Sequence, residues 1–361
     1  MYLDHRACLP ASEETMTRFP ENPLIRPGDV KPSQADLQVV GVCNAGCERL
    51  DDEILLLLRV AERPASGSDE LVAPILDAEE PERGLQTVRV RRGDANLQEI
   101  DDRAFRYRGR TYQTSISHLR LAHSMDGRHF TVQERPAIFP ATREEEYGIE
   151  DARIVLLGGE YCITYAAVSR KGTATALATT RDFQEYERRG IIFAADVRDV
   201  AIFPEMLGGH YLCFHHPIGG PQSRLQVWAA TSPDLLGWSN LGAVATGRPG
   251  TWDETGLASG AVPIRTGRGW LHVCNGTNHN GQCGIGVMLT DIEQPHRLLA
   301  RSAEPVLAPQ ADYETHRHNT VFTCGTASYA DGRVLIYYGA SEECICGAET
   351  TIDALLSSLS G

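Results

Sequence analysis

The sequence predicts an all-β protein built as a five-bladed β-propeller, and three observations carry that expectation. Apolar spacing of the helical kind is nearly absent, confined to about 97–105 and the last few residues; short β-forming runs with Gly and Asp turns fill the rest. A signature recurs after a strand: Ala122-His-Ser-Met-Asp126, Ala178-Thr-Thr-Arg-Asp182, Ala230-Thr-Ser-Pro-Asp234 and, more weakly, Met288-Leu-Thr-Asp291. Each is followed by an aromatic or apolar residue (Phe130, Phe183, Trp238, Leu298), and the intervals are roughly 52–58 residues, the size of a propeller repeat. Finally, hairpin turns are expected at Asp51-Asp52, Gly158-Gly159, Gly208-Gly209, Gly267-Arg268 and Asp331-Gly332.

Taken in order, residues 1–23 form an N-terminal extension to a single catalytic domain spanning 1–361. The first repeat carries the apolar run Ile54–Leu58 and then a polar insertion, about 64–112, expected as surface loop. The second opens at Glu150-Asp151-Ala152-Arg153, where alternation puts Glu150 and Ala152 on one face and Asp151 and Arg153 on the other. The third is the hairpin from Arg198 to Pro217. A two-residue turn there pairs Leu207 with His210, and an unbroken ladder sets Ala201 opposite His216. The same count sets Asn44 opposite Arg59, Asp151 opposite Ala166, Asn275 near Gly260 and Cys324 near Gly339. In every repeat the polar groups fall at the end away from the hairpin. A propeller gathers those ends around one axis, so Asn44, Arg59, Asp151, Arg198, His216, Glu254 and Asn275 are expected to share one funnel.

Length and charge narrow the functional classes. A chain of 361 residues can bury a sizeable core. Its 48 acidic residues against 34 basic ones, a net charge of −14, argue against nucleic acid or an anionic membrane as partner. The N-terminal stretch lacks an apolar segment flanked by positive charge, and no run is long enough to cross a bilayer, so a cytoplasmic location is expected. The ten cysteines are scattered and read as reduced, buried thiols. Cys344-Ile-Cys346 and Cys43-x-x-x-Cys47 lack a matching pair at zinc spacing, and His316 and His318 lack a third ligand, so no metal is expected. A small carbohydrate is the expected partner; a homo-oligomer stays open.

Several carboxylates around a funnel, with no nucleophile elbow, P-loop or dinucleotide fingerprint, favour glycosidic bond chemistry. One carboxylic acid must protonate the leaving oxygen, and a second group must attack, or activate water, from the opposite face of the sugar. Asp151 beside Arg153, Arg198-Asp199 beside His215 and His216, Glu205 near its hairpin, and Trp252-Asp253-Glu254 are the candidates. Each also has a plainer reading as an ion pair, a solvated turn or core packing.

The chain also resembles glycoside hydrolase family 130 from about Leu24 to Ala348. The resemblance is carried by Val42-Cys-Asn-Ala-Gly46, Leu56-Leu-Leu-Arg-Val60, Ile149-Glu-Asp-Ala-Arg-Ile154, Arg198-Asp-Val-Ala-Ile-Phe-Pro-Glu205, Trp252-Asp253, Gly269-Trp-Leu271 and Tyr337-Tyr-Gly-Ala340. It implies a five-bladed propeller that cleaves β-mannosides with inversion, mostly by phosphorolysis and in some members by hydrolysis. It also implies Asp151 as general acid, acting in phosphorylases through a sugar hydroxyl, and Asn44 and Arg59 as sugar-binding residues; Arg153 and Asp199 are expected to hold the sugar with them.

Four positions depart from the family. Of the phosphate ligands the resemblance implies, Arg198 is kept, a second Arg is replaced by His216, and a His by Asn275. His215 and His279 can compensate only in part. The Gly-Ala-Ala-Asp of the family becomes Gly-Ala-Ser-Glu at Ser341 and Glu342. A weakened phosphate site makes an inverting hydrolase of β-1,2-linked manno-oligosaccharides the expected activity. Water would then be activated by Glu254 or Glu205, with Glu314 third, at roughly 6.5–9.5 Å from the acid. The alternative is a phosphorylase that releases mannose 1-phosphate, with inorganic phosphate as co-substrate and no other cofactor; a second is a non-catalytic carbohydrate-binding propeller.

Overall fold

Residues 16–194, 196–219 and 226–360 are described by a computed structural model, and nearly all of their regular structure is β. One antiparallel pattern repeats along the chain. Leu37–Leu50 pairs with Glu53–Pro64, then Ile116–Ser124, then the short Thr131–Val132. Gly148–Leu157, Glu160–Ser169, Gly172–Thr180 and Glu187–Phe193 repeat it, joined to the first set through one parallel pair, Gly148 with Ser117. Val197–Ile202 to Ser239–Thr246 form the next sheet, and Gly256–Ser259, Gly269–Thr277, Cys283–Thr290 and Leu298–Ser302 the one after. Val321–Ser328, Arg333–Ala340 and Cys344–Thr351 complete the series, and their outer strand is Thr17–Arg18 from the other end of the chain.

The recurring Asp signature turns out to be a turn device. Asp126, Asp182, Asp234 and Asp291 each accept the backbone N–H groups two and three residues on, at 2.8–3.2 Å. Such Asx turns let the chain leave the third strand of a sheet and re-enter as the fourth. Apolar residues from facing sheets then close between them. Leu56, Leu58 and Val60 meet Tyr337 and Ile345, for example, and Leu57 and Leu121 meet Ile154 and Ile163.

Leu207 does pair with His210, but the rest of the expected register is corrected. Arg198 pairs with His216 and Ala201 with Phe214; Cys43, not Asn44, faces Arg59; Glu150, not Asp151, faces Ala166; and Asn275 faces Ala258. Bulges interrupt the first strand between Cys43 and Gly46, Glu150 and Arg153, Arg198 and Ala201, and Thr323 and Gly325, so an unbroken count slips. Three bulges carry a residue in the left-handed region: Asn44 (φ 50), Asp151 (φ 55) and Asp199 (φ 57). Asn and Asp are the non-glycine residues that tolerate this conformation best. The first strands also approach each other closely: a Cβ at Gly46 would stand 2.7 Å from the carbonyl oxygen of Ala152.

The 64–112 segment is not a surface loop. Glu70–Leu76 pairs with Leu85–Arg91, and Leu97–Glu99, Ala104–Tyr107 and Arg110–Gln113 form a three-stranded sheet. Ala73, Val90 and Phe105 give it a core of its own. The helix-like spacing at 97–105 is therefore a strand, a turn and a strand, whereas the last residues do hold a helix, Ile352–Ser357, capped by Thr351. Salt bridges tie the insertion to the rest: Arg110 to the buried Glu146, Arg103 to Glu342, and Asp102 to Arg317 at 2.5 Å.

All described cysteines are buried and free. Among the described residues, no helix is long and apolar enough to cross a membrane.

Candidate active site

The bulges decide where the site lies. An extra residue in a strand turns its side chain out of the regular alternation, and here it turns Asn44, Asp151 and Asp199 toward one another. Asp151, 1% exposed, is the centre. Its Oδ1 accepts from Asn44 Nδ2 at 3.0 Å and from Arg59 Nη1 at 3.3 Å, and its Oδ2 accepts from Arg198 Nη2 at 2.7 Å. Arg59 also donates to Glu150 at 2.7 Å and to Ser117 Oγ at 3.2 Å. Asp199 lies beside Arg153 (3.0 Å), Arg198 (3.4 Å) and His216 (3.3 Å). Arg153 is held from below by the carbonyls of Asp151, Ser259 and Gly260.

A cavity of about 660 Å³ opens above these groups, with Asn44, Arg59, Asp151, Arg198, His216 and Asn275 on its wall. Burial pushes the Asp151 carboxyl up, but Arg59 and Arg198 outweigh it and hold the group below the usual carboxylate range. Asp199 is held far lower, by Arg198, Arg153 and His216 against its burial. Glu150 goes the other way, raised by burial and by the charge of Asp151 despite Arg59. A sugar ring at this wall would meet a carboxylate able to move a proton, cations beside it, and amides from Asn44 and Asn275.

Residues 99–360 match a family described as β-1,4-mannooligosaccharide phosphorylase. The chain belongs to glycoside hydrolase family 130. It is 39% identical over 349 residues to the β-1,2-mannobiose phosphorylase of Listeria innocua, covering 95% of this chain and 98% of that one. The solved structure of a Listeria innocua β-1,2-mannobiose phosphorylase with β-1,2-mannobiose superposes with a TM-score of 0.90 at 37% identity, over 95% of this chain and 98% of the other. A 1,2-β-oligomannan phosphorylase of Thermoanaerobacter is 30% identical over 65% of this chain and 78% of its own length. A Bacteroides ovatus glycosyl hydrolase, 20% identical with a TM-score of 0.72 over 94% of each chain, shares the fold. The protein is thus a glycoside-cleaving enzyme of a family that contains phosphorylases and hydrolases.

Within this family 130 enzyme, Asn44, Arg59, Asp151, Arg198, Asp199, His216 and Asn275 come together as expected, and Arg153 stands directly behind them. Other candidates do not join. Glu205 is half-exposed and pairs with Arg265 at 3.3 Å near the hairpin end, away from the cavity wall. Glu314 is fully buried, accepting from Arg18, Tyr338 and the backbone of Gln310 and Ala311, so it is structural. Glu254 faces His279 at 3.6 Å, although its neighbours Thr255 and Gly256 reach the wall. His215, next to His216 in one strand, points to the opposite side. It bonds Asn240 at 2.9 Å, lies 4.9 Å from the Phe193 ring, and burial pushes it down to about 4. Trp252 is core, not a stacking platform: it fills the space over Gly276 and Gly286, where any Cβ would stand 2.2 Å from its ring. Asp253 beneath it is buried against Arg301 and Arg248.

One further contribution to the site sits in the altered Gly-Ala-Ser-Glu motif, and another carries no motif. Glu342 reaches the cavity from a turn with positive φ at Ser341 and Glu342, and Arg103 of the insertion holds it there. Asp101 and Gln113 of the insertion also line the wall. The consecutive charges at Asp101, Asp102 and Arg103 are the one local hint, and they read equally well as a solvated turn.

Proposed function

We propose that the protein is a β-mannoside phosphorylase that cleaves a β-1,2-linked manno-disaccharide with inorganic phosphate and releases mannose 1-phosphate, with inversion. The observation that carries this reading is the nearly full-length similarity to the Listeria innocua phosphorylase. It displaces hydrolysis as the first choice, and none of the three expected bases for water, Glu205, Glu254 and Glu314, stands on the cavity wall. The repeating sheets are read as the five blades of a propeller in a single domain, with the site at one end of its axis and the 64–112 insertion at the rim.

In this reading Asn44 and Arg59 orient the sugar and Asp151 supplies the proton. A phosphate oxygen forms a bond to C1 as the glycosidic bond breaks; the leaving oxygen keeps the electron pair and takes a proton from a sugar hydroxyl, which Asp151 reprotonates. Arg198 provides the positive side of the phosphate site, with the His216 imidazole beside it. Hydrolysis stays the second reading because His216 and Asn275 stand where firmer cations are expected, and Asn275 is engaged with the Thr323 backbone in both directions.

The deciding experiment is incubation with β-1,2-mannobiose with and without phosphate. Phosphate-dependent mannose 1-phosphate is expected. Free mannose alone, formed equally without phosphate, would overturn phosphorolysis and restore the hydrolase.

A further inference from the structure

A general acid must arrive protonated, yet the two oxygens of Asp151 are held by three donors, two of them guanidinium groups. These two cations are not equivalent. Arg59 is fixed by Glu150 and Ser117 and its side chain is 16% exposed. Arg198 is 29% exposed, stands on the cavity wall, and divides itself between Asp151 and Asp199. If Arg198 turned toward an anion in the cavity, Asp199 would keep Arg153 at 3.0 Å and His216 at 3.3 Å. Asp151 would keep only Arg59 and the Asn44 amide in direct side-chain contact, with the charges of Glu150 and Asp199 close by on one side of the balance and Arg153 on the other. Withdrawing this one cation therefore leaves a single carboxylate under-compensated, and it is the one that must carry the proton. A partly exposed guanidinium can give a phosphate dianion the same charge-assisted, bidentate hydrogen bonds that it gives a carboxylate.

We propose that Arg198 is a transferable cation: Asp151 holds it in the empty enzyme, incoming phosphate takes it over, and Asp151 then binds a proton from solvent. The inference rests on the phosphorylase reading. The proton balance is closed, since the proton taken from solvent replaces, on the sugar hydroxyl, the one given to the leaving oxygen. The acid is armed only when the nucleophile is seated, so water entering the empty site meets Asp151 as a carboxylate. This makes Arg198 a positioning residue for proton timing as well as a phosphate ligand, and it explains how a site open to water can avoid hydrolysis.

The test is calorimetric titration of the full-length protein with inorganic phosphate in two buffers of different protonation enthalpy, comparing wild type with Asp151→Asn. Protonation changes of phosphate itself cancel in the difference. Wild type is expected to take up about one proton more per phosphate than the variant near neutral pH. Equal proton numbers would overturn the proposal, as would an uptake kept in Asp151→Asn and lost in His216→Asn, which assigns the proton to the imidazole. A measurement on wild type alone guards against a misfolded variant: the alkaline limb of the pH–rate profile should rise by about one unit or more between subsaturating and saturating phosphate. An unmoved limb counts against the proposal. Mannose 1-phosphate formation with no extra proton uptake rejects the transfer of Arg198 alone; absence of phosphate binding and of mannose 1-phosphate rejects the phosphorylase reading with it.

Discussion

Asn44 and Asp151 occupy bulges in two strands at different places in one extended sheet, both with positive φ, and Asn44 Nδ2 donates to Asp151 Oδ1 at 3.0 Å. The backbone irregularity and the hydrogen bond are thus one feature, and substitutions can separate its two parts. Asn44→Gly keeps the left-handed conformation and loses the amide; Asn44→Ala loses both. Both variants should lose roughly tenfold in kcat/KM, the cost of one hydrogen bond to a charged group. Only Asn44→Ala should also lose about 1–2 kcal/mol of stability, read from urea unfolding.

On the proposed mechanism, Asp151→Asn keeps the shape of the acid and removes its proton. Phosphorolysis should fall by about 10²–10⁴-fold, the usual contribution of a positioned general acid, with an unchanged circular dichroism spectrum. Retention of full activity would remove Asp151 from the mechanism.

Glu205→Gln and Glu254→Gln should each leave kcat for mannose 1-phosphate formation within about threefold of wild type, because surface ion pairs such as those with Arg265 and His279 contribute little. A collapse of activity in either variant would restore that glutamate as a catalytic group.

Glu314→Gln should act on stability instead. Glu314 is fully buried and joins Arg18 of the first strand to Tyr338. Leaving Arg18 without its charge partner should cost about 3 kcal/mol in urea unfolding while kcat at low temperature stays near wild type.

Acid stability should respond to two buried imidazoles. Burial pushes His215 down to about 4 and His272 down to about 3, from an ordinary value of 6.5. The unfolded chain binds protons first as the pH falls, so this stabilisation is complete above 6.5 and drains away toward 4 and 3. The urea midpoint should therefore drop between about pH 7 and pH 5, and His215→Gln should shrink that drop. An identical drop in the variant would show that the charge of His215 is not involved.

How much of this was legible follows from what is local. The Asp turns at 126, 182, 234 and 291 and the glycine hairpins are set by short-range chemistry, so the repeat could be read directly. Asn44, Arg59, Asp151, Arg198, His216 and Asn275 could be gathered because each lies at the same end of its hairpin, an argument that survives a slip of one or two residues. The pairings themselves slipped, because a bulge adds a residue without changing composition; the Asn or Asp at each of 44, 151 and 199 was the available sign. Acidic residues such as Glu205 and Glu314 could not be sorted, since which side of a sheet a carboxylate serves depends on partners far along the chain. Arg265 and Arg18 are those partners here.

Arg18 and Glu314 are 296 residues apart, and Arg18 pairs with Ala348. At about 5–20 residues per second, a ribosome needs tens of seconds to deliver the second half of that seam after the first. Thr17–Arg18 must wait unpaired meanwhile, and the edge of Cys344–Thr351 stays uncovered until the two meet. Joining this seam is thus a long-range closure, the kind of contact that forms slowly and leaves an open edge available to neighbouring chains until it is made.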